Sequence, residues 1–228
     1  AGPVAGAPIT LALDDQNLSD GSTPAGPDSA LNSITFTPGS DAIASIAFGT
    51  DLSGLNSANL TWTRVSDTQV VGKDGAVTVV TLDLSVANNV ATVTATLNNN
   101  YDAHPGINLD DLVNLGQVGV VATDSDGDQA TGTVNVTVSD DVPTASNEAS
   151  QAVAEGAPAV TGTLDFVAGA DGATVTHVNG TPLIFNAGTG YSQSIDIGAG
   201  SIQVKADGSY AFTPDASVDN SSGPVAVN

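Results

Sequence analysis

Of the 25 acidic residues in this chain, only Glu148 and Glu155 are glutamates; the other 23 are aspartates. Glutamate supports helices, whereas aspartate hydrogen-bonds its own main chain and favours turns. The same chain carries 25 glycines and 11 prolines. It contains no amphipathic helix of useful length, and period-two alternation is plain instead. "NLTWTRV" places Leu60 and Trp62 on one face, and "VATVTATL" sets Ala91, Val93, Ala95 and Leu97 against its threonines. "GTVNVTVS" alternates Val134, Val136 and Val138 with Thr133, Asn135 and Thr137. The expected class is all-β, strands joined by aspartate-rich turns.

Charge narrows the partners. Against the acids stand only Arg64, Lys73 and Lys205, for a net charge of −22, yet 40% of the residues are hydrophobic and can build a core. Such a surface repels nucleic acid and anionic membranes and draws cations. Cysteine and methionine are both absent, which fits an aerobic exterior reached without a disulfide-forming step. "AGPVAGAPITLAL" lacks a basic n-region and is too short and interrupted for a signal peptide or membrane helix. An export signal is therefore expected outside this sequence, for example at the C-terminus of a longer protein.

Two segments echo each other. "ITFTPGSDAIASI" and "LDFVAGADGATVT" align Phe36 with Phe166, Gly39 with Gly169 and Asp41 with Asp171, a constant offset of 130 residues. That offset is about the size of one β-sandwich. Pro143 in "DDVPT" cannot extend a central strand. The chain is thus read as two domains, 1–142 and 143–228, with 17 and eight acids respectively. Short alternating strands and turn-rich connections suggest tandem immunoglobulin-like sandwiches. In the second, "ADG" turns a hairpin between Val204 and Tyr210. A counterpart of Asp124 at the 130-residue offset falls past residue 228. The second domain is accordingly expected to lack its last strands, either because the sequence is cut there or because they follow an insertion.

The densest charge lies in "VVATDSDGDQATGTVNVTVSDDVPTA", residues 120–145. Side chains at alternate positions of an extended segment share a face, so Asp124, Asp126 and Asp128 converge, with Gly127 allowing a tight turn. Three carboxylates in five residues repel unless protonated or bridged by a cation. Calcium suits them, taking about 6–8 oxygens in adaptable geometry, whereas magnesium demands a stricter octahedron. The spacing is not that of an EF-hand loop. The strands flanking "DSDGD" pair as a hairpin, and the second runs on to "DDVP", so Asp140 and Asp141 sit at the opposite end of the domain. Simple antiparallel order brings the loop holding Asp41 to the "DSDGD" end. By the repeat, Asp171 faces Asp140 and Asp141 across the junction, with Glu148 in reach. The expected ligands are Asp41, Asp124, Asp126, Asp128, Asp140, Asp141, Asp171 and Glu148, and the expected ion is Ca2+. Isolated acids such as Asp51, Asp67 and Asp83 read as solvated turn residues.

Catalysis finds little support. His104 and His177 fall in separate domains, and no cysteine accompanies either, so both read as ordinary loop or strand residues rather than zinc ligands. No nucleophile motif or phosphate loop is present; "GADGA" is not one. Paired carboxylates in turns, with few aromatics, do not make a sugar cleft. An enzyme is not expected.

The order "FTPGSDAI", "YDAHPG", "VVATDSDGDQATGTVNVTVSDDVPTA" resembles the repeat domains of giant RTX-type adhesins exported by type I secretion, over nearly all of residues 9–145. The stretch from "EGAPAVTG" to "YAFTP" looks like the opening half of a further repeat or of a bacterial cadherin-like domain. This resemblance implies a fibrous protein on the surface of a Gram-negative bacterium. Its repeats would act as extenders, stiffened by calcium within and between them, that hold an adhesive module away from the cell for attachment and biofilm formation. The expected partners are calcium and neighbouring repeats, in a monomeric segment of a long fibre. Two alternatives stand beside it: a module that binds sugar or peptide directly, and a split repeat that hosts an inserted ligand-binding domain.

Overall fold

Alternating valines and threonines can bury one side only if each strand lies in a sheet with its apolar face inward, and that requirement sets the architecture. In a computed structural model describing residues 1–25, 28–104, 110–149 and 152–218, the described residues form no α-helix; a single 3-10 turn spans Asp15–Asn17. Pro105 and Gly106 of "YDAHPG" and the terminal "SSGPVAVN" lie outside the described residues. The fold is all-β. Contacts divide the chain into one unit of Ala1–Val142 with Gly169–Asp171 and another of Pro143–Ala168 with Gly172–Asn228.

The first unit contains β1 (Val4–Ala5), β2 (Ile9–Asp14), β3 (Asp28–Thr37), β4 (Ile43–Phe48), β5 (Thr61–Ser66), β6 (Gln69–Asp74), β7 (Val77–Ala87), β8 (Val90–Leu97), β9 (Leu112–Asp124) and β10 (Gln129–Ser139). They form two sheets, ordered β1-β3-β8-β7-β6-β5 and β2-β10-β9-β4. One core lies between them. Leu11, Leu13, Phe48, Val120, Val134 and Val136 come from the smaller sheet, and Ile34, Phe36, Val70, Leu82 and Val93 from the larger. Each such side chain contributes about 1.5–3 kcal/mol when fully buried. Trp62 packs against this core from the side, and its indole N–H donates to Ser57 Oγ at 2.8 Å.

Two pairings fix where the aspartates fall. β9 and β10 are antiparallel from Gln129↔Thr123 onward, and β4 pairs with β9 from Ile43↔Asp124. The 125–128 turn therefore meets the loop that carries Asp41. At the other end, β2 runs parallel to β10 with Ser139 opposite Asp14, so Asp15 follows in step with Asp140. The 11 residues of β10 separate these two ends, about 35 Å at ordinary strand rise.

The second unit contains β11 (Thr144–Ala145), β12 (Val160–Thr163), β13 (Phe166–Val167), β14 (His177–Val178), β15 (Thr181–Pro182), β16 (Ile195–Asp196), β17 (Gly200–Val204) and β18 (Ser209–Pro214). Its largest sheet has the order β12-β18-β17-β16, and its "ADG" hairpin pairs Val204 with Tyr210. Ile195 and Val204 are its buried apolar side chains among the described residues. The sequence echo has a structural form: Ala5 pairs with Phe36 in the first unit, and Ala145 pairs with Phe166 in the second.

Candidate metal centre

Two groups of side chains offer ligand atoms that all lie within 4.8 Å of one another: Asp41, Asp124 and Asp126 at the leading end of the first unit, and Asp15, His104 and Asp140 at the trailing end.

The leading group is built by a turn that uses one carboxylate twice. Oδ1 of Asp124 accepts the main-chain N–H of Gly127 at 3.0 Å and of Asp128 at 2.8 Å. Gly127 has φ +98°, a conformation that costs glycine nothing. The N–H of Ser125 donates to the carbonyl of Ala42 at 3.1 Å, fastening the turn to the Asp41 loop. Asp124 is only 3% exposed, and its Oδ2 is buried without a hydrogen-bond partner. Burial alone would raise its pKa, but hydrogen bonds from the Asp126 side chain and the turn's N–H groups outweigh it and hold Asp124 below the usual range. Asp126 moves the other way, because the bond to Asp124 and repulsion from Asp124, Asp41 and Asp128 favour its protonated form. Such a pair shares either a proton or a cation.

Asp128 stands apart from this group. Its N–H serves Asp124, and its side chain packs against Gly2, where an added Cβ would come within 2.8 Å of it. The strand-like alternation expected for "DSDGD" gives way to the turn that closes the β9–β10 hairpin.

The trailing group rests on two strand ends and a loop. Asp15 opens the 3-10 turn after β2 and is fully buried. Neither of its carboxylate oxygens makes a well-formed hydrogen bond. Burial, then repulsion from Asp171 and Asp140, pushes its pKa to about 8, only partly offset by the Tyr101 main chain. Burial likewise raises Asp140, opposed by the nearby His104. The imidazole of His104 has Nε2 at 3.5 Å from Asp15 Oδ2 and Nδ1 at 3.1 Å from Asp111 Oδ1. Tyr101 meets the ring edge-on, with centroids 5.4 Å apart. The reading of His104 as an ordinary loop residue is corrected here: it lies in a loop, but its side chain is buried among carboxylates. His177, by contrast, is exposed in β14 and bonds Thr176 Oγ1 at 3.0 Å.

The remaining acids expected here have other partners. Asp141 accepts from Ser22 N–H at 2.7 Å, Ser22 Oγ at 2.5 Å and Ala170 N–H at 3.0 Å. Gly169, at φ +75°, lets that segment approach: an added Cβ would stand 2.8 Å from the Asp141 carbonyl. Asp171 accepts from the Asn100 side-chain amide, and its charge is felt by Asp15 and Asp140. In the second unit, Glu148 accepts the main-chain N–H of Asp165. Asp128, Asp141, Asp171 and Glu148 thus belong to neither group of three.

Sequence reasoning missed Asp15 and His104. One signal was present: "ITLALDD" and "VNVTVSDD" both end an alternating strand on paired aspartates, the mark of parallel neighbours finishing together. The sequence matches no protein-family model and no curated protein.

Proposed function

We propose that this chain is a calcium-stiffened extender segment of a large bacterial surface adhesin, built of immunoglobulin-like repeats and working outside the cell. The observation that carries the reading is the buried Asp124 carboxylate, whose Oδ2 has no hydrogen-bond partner while Asp41 and Asp126 bring oxygens within 4.8 Å. An all-oxygen, carboxylate-rich set of this kind is calcium chemistry. The repeated Ala–Phe strand pairing and the resemblance to RTX-type adhesin repeats support the extender role. Trp62 packs on the core and its indole N–H bonds Ser57, which ties the ring into the fold and favours the extender over a lectin-like module.

Extracellular modules bind calcium at about 10⁻⁴–10⁻³ M, so the ion would load on leaving a low-calcium cytoplasm. At 100 times Kd a single site adds about 2.7 kcal/mol, roughly 9 °C in melting temperature for a domain of this size. Calorimetry and small-angle scattering in 10 mM Ca2+ and in EGTA test this. The expected result is a calcium-linked rise of that order together with a narrower distribution of shapes. Equal melting and equal scattering in both buffers would sink the reading.

A further inference from the structure

We propose that Asp15, His104 and Asp140 form a site for a first-row transition-metal dication, with Zn2+ the best-matched ion, chemically distinct from the calcium assigned to Asp41, Asp124 and Asp126. This rests on the reading of the acidic ends as cation sites and names a different ion class for one of them.

The donor set argues first. Calcium selects oxygen ligands in numbers of about 6–8, and imidazole nitrogen is a ligand for zinc, copper, nickel and iron. The trailing group supplies one imidazole and two carboxylates, the three-ligand pattern that leaves zinc a further open position.

The orientation of the ring argues second and independently. Nδ1 of His104 lies 3.1 Å from Asp111 Oδ1. An ionised carboxylate can only accept, so Nδ1 carries the hydrogen and, in the neutral imidazole, Nε2 carries the lone pair. That lone pair meets Asp15 Oδ2 at 3.5 Å, and the His104 and Asp15 side chains are 3% and 0% exposed. Nε2 and both Asp15 oxygens are buried without a well-formed hydrogen bond. Once Asp15 is ionised, lone pairs face one another out of water there, and a cation between them takes the place of the proton that Asp15 holds without it. A carboxylate behind the distal nitrogen of a metal-binding histidine is the arrangement that fixes tautomer and ring orientation and raises ligand basicity. Asp111 occupies that place, and the edge-on Tyr101 ring, anchored by its hydroxyl to the Ala58 carbonyl at 2.9 Å, helps confine the imidazole. Two carboxylates then neutralise the dication.

The competing occupant is a proton, held on Asp15 or shared with His104 as an imidazolium between Asp15 and Asp111. Cobalt(II) separates the two, because its visible bands report tetrahedral nitrogen–oxygen coordination and zinc abolishes them by displacement. Full-length protein, stripped with EDTA and dialysed free of it, is titrated with Co2+ in 10 mM Ca2+ at pH 7.5. We expect one equivalent to bind with intense visible bands that zinc removes. His104→Gln should weaken binding at least tenfold and Asp111→Asn about 10–100-fold, while Asp124→Asn leaves the bands unchanged. Circular dichroism of each variant separates lost binding from lost folding, and Asp111→Asn keeps the test open should His104→Gln not fold. Three outcomes overturn the proposal: no bands at stoichiometric Co2+, full competition by calcium, or undiminished binding by folded His104→Gln. A ¹⁵N imidazole spectrum showing both nitrogens protonated with zinc present would overturn it as well. The calcium reading fails on a separate signal, the calcium-linked melting shift, so either can fall while the other stands.

Discussion

At Asp124 the two oxygens of one carboxylate differ: Oδ1 closes the turn through the N–H groups of Gly127 and Asp128, while Oδ2 is buried without a hydrogen-bond partner and is the oxygen that the proposed calcium would take. Asp124→Asn separates these jobs, because an amide oxygen still accepts both N–H bonds and the amide nitrogen cannot ligate. The variant should lose at least half of the calcium-linked rise in melting temperature. In EGTA it should melt at or below the wild type, since the turn favours the ionised form of Asp124 and the neutral amide forgoes that gain; calorimetry in the two buffers reads both effects. Asp41, Asp124 and Asp126 were legible in the sequence because a glycine-containing turn between alternating strands announces a hairpin, and a hairpin collects its loop acids. Asp15 was not legible. Its partner Asp140 is 125 positions away in the sequence, and only the parallel β2–β10 register brings them together. His104 was discounted for want of a cysteine, a rule that weighs ligand type and cannot see burial.

Strand alternation carries the fold at the scale of the element. On β8, Ala91, Val93, Ala95 and Leu97 are fully buried, as the period-two pattern predicts, because a strand in the wider sheet has one face on the core and the other toward solvent. Val93→Ala should therefore cost about 1–3 kcal/mol, and Thr94→Ala, on the opposite face, less than about 0.5 kcal/mol; urea unfolding of the two variants measures the contrast. The short strands β1, β11 and β13 were beyond sequence reading, since two residues hold no period. Their trace lay in "AGPVA" against "DVPTA" at an offset of 140, with Pro3 over Pro143 and Ala5 over Ala145. The second unit was legible mainly in its "ADG" hairpin. Its buried apolar side chains, Ile195 and Val204 among the described residues, are few, and local stability follows buried apolar contact. Hydrogen exchange should accordingly be slower across β8, β9 and β10 than across β16, β17 and β18, by at least tenfold in protection factor; equal protection in the two units would contradict that ordering.

For the molecule as a whole, a net charge of −22 would, on the proposed reading, make the proton and the metal ion rivals for the same oxygens. Asp15 is raised from 3.8 to about 8 by burial and by the charges of Asp171 and Asp140. The folded form thus holds a proton that the unfolded form releases between about pH 4 and 8. That contribution to stability is complete below pH 4 and is lost as pH rises through 8. Asp126 and Asp140 are raised too and act in the same direction. Asp124 is lowered, so its contribution is present above about pH 4 and is lost only in stronger acid, outside this window. In chelator the melting temperature should therefore fall between pH 5 and pH 8, by about 5 °C or more. With 10 mM Ca2+ and one equivalent of Zn2+ the dependence should flatten or reverse, because the ions bind only the deprotonated carboxylates and their contribution grows as protons leave. Calorimetric melts at pH 5, 6, 7 and 8 with and without metal give two curves, and the quantity to read is the widening gap between them. A constant gap would mean that metal and proton occupy different places, and the acidic ends of the sandwich would then be solvated surface rather than cation sites.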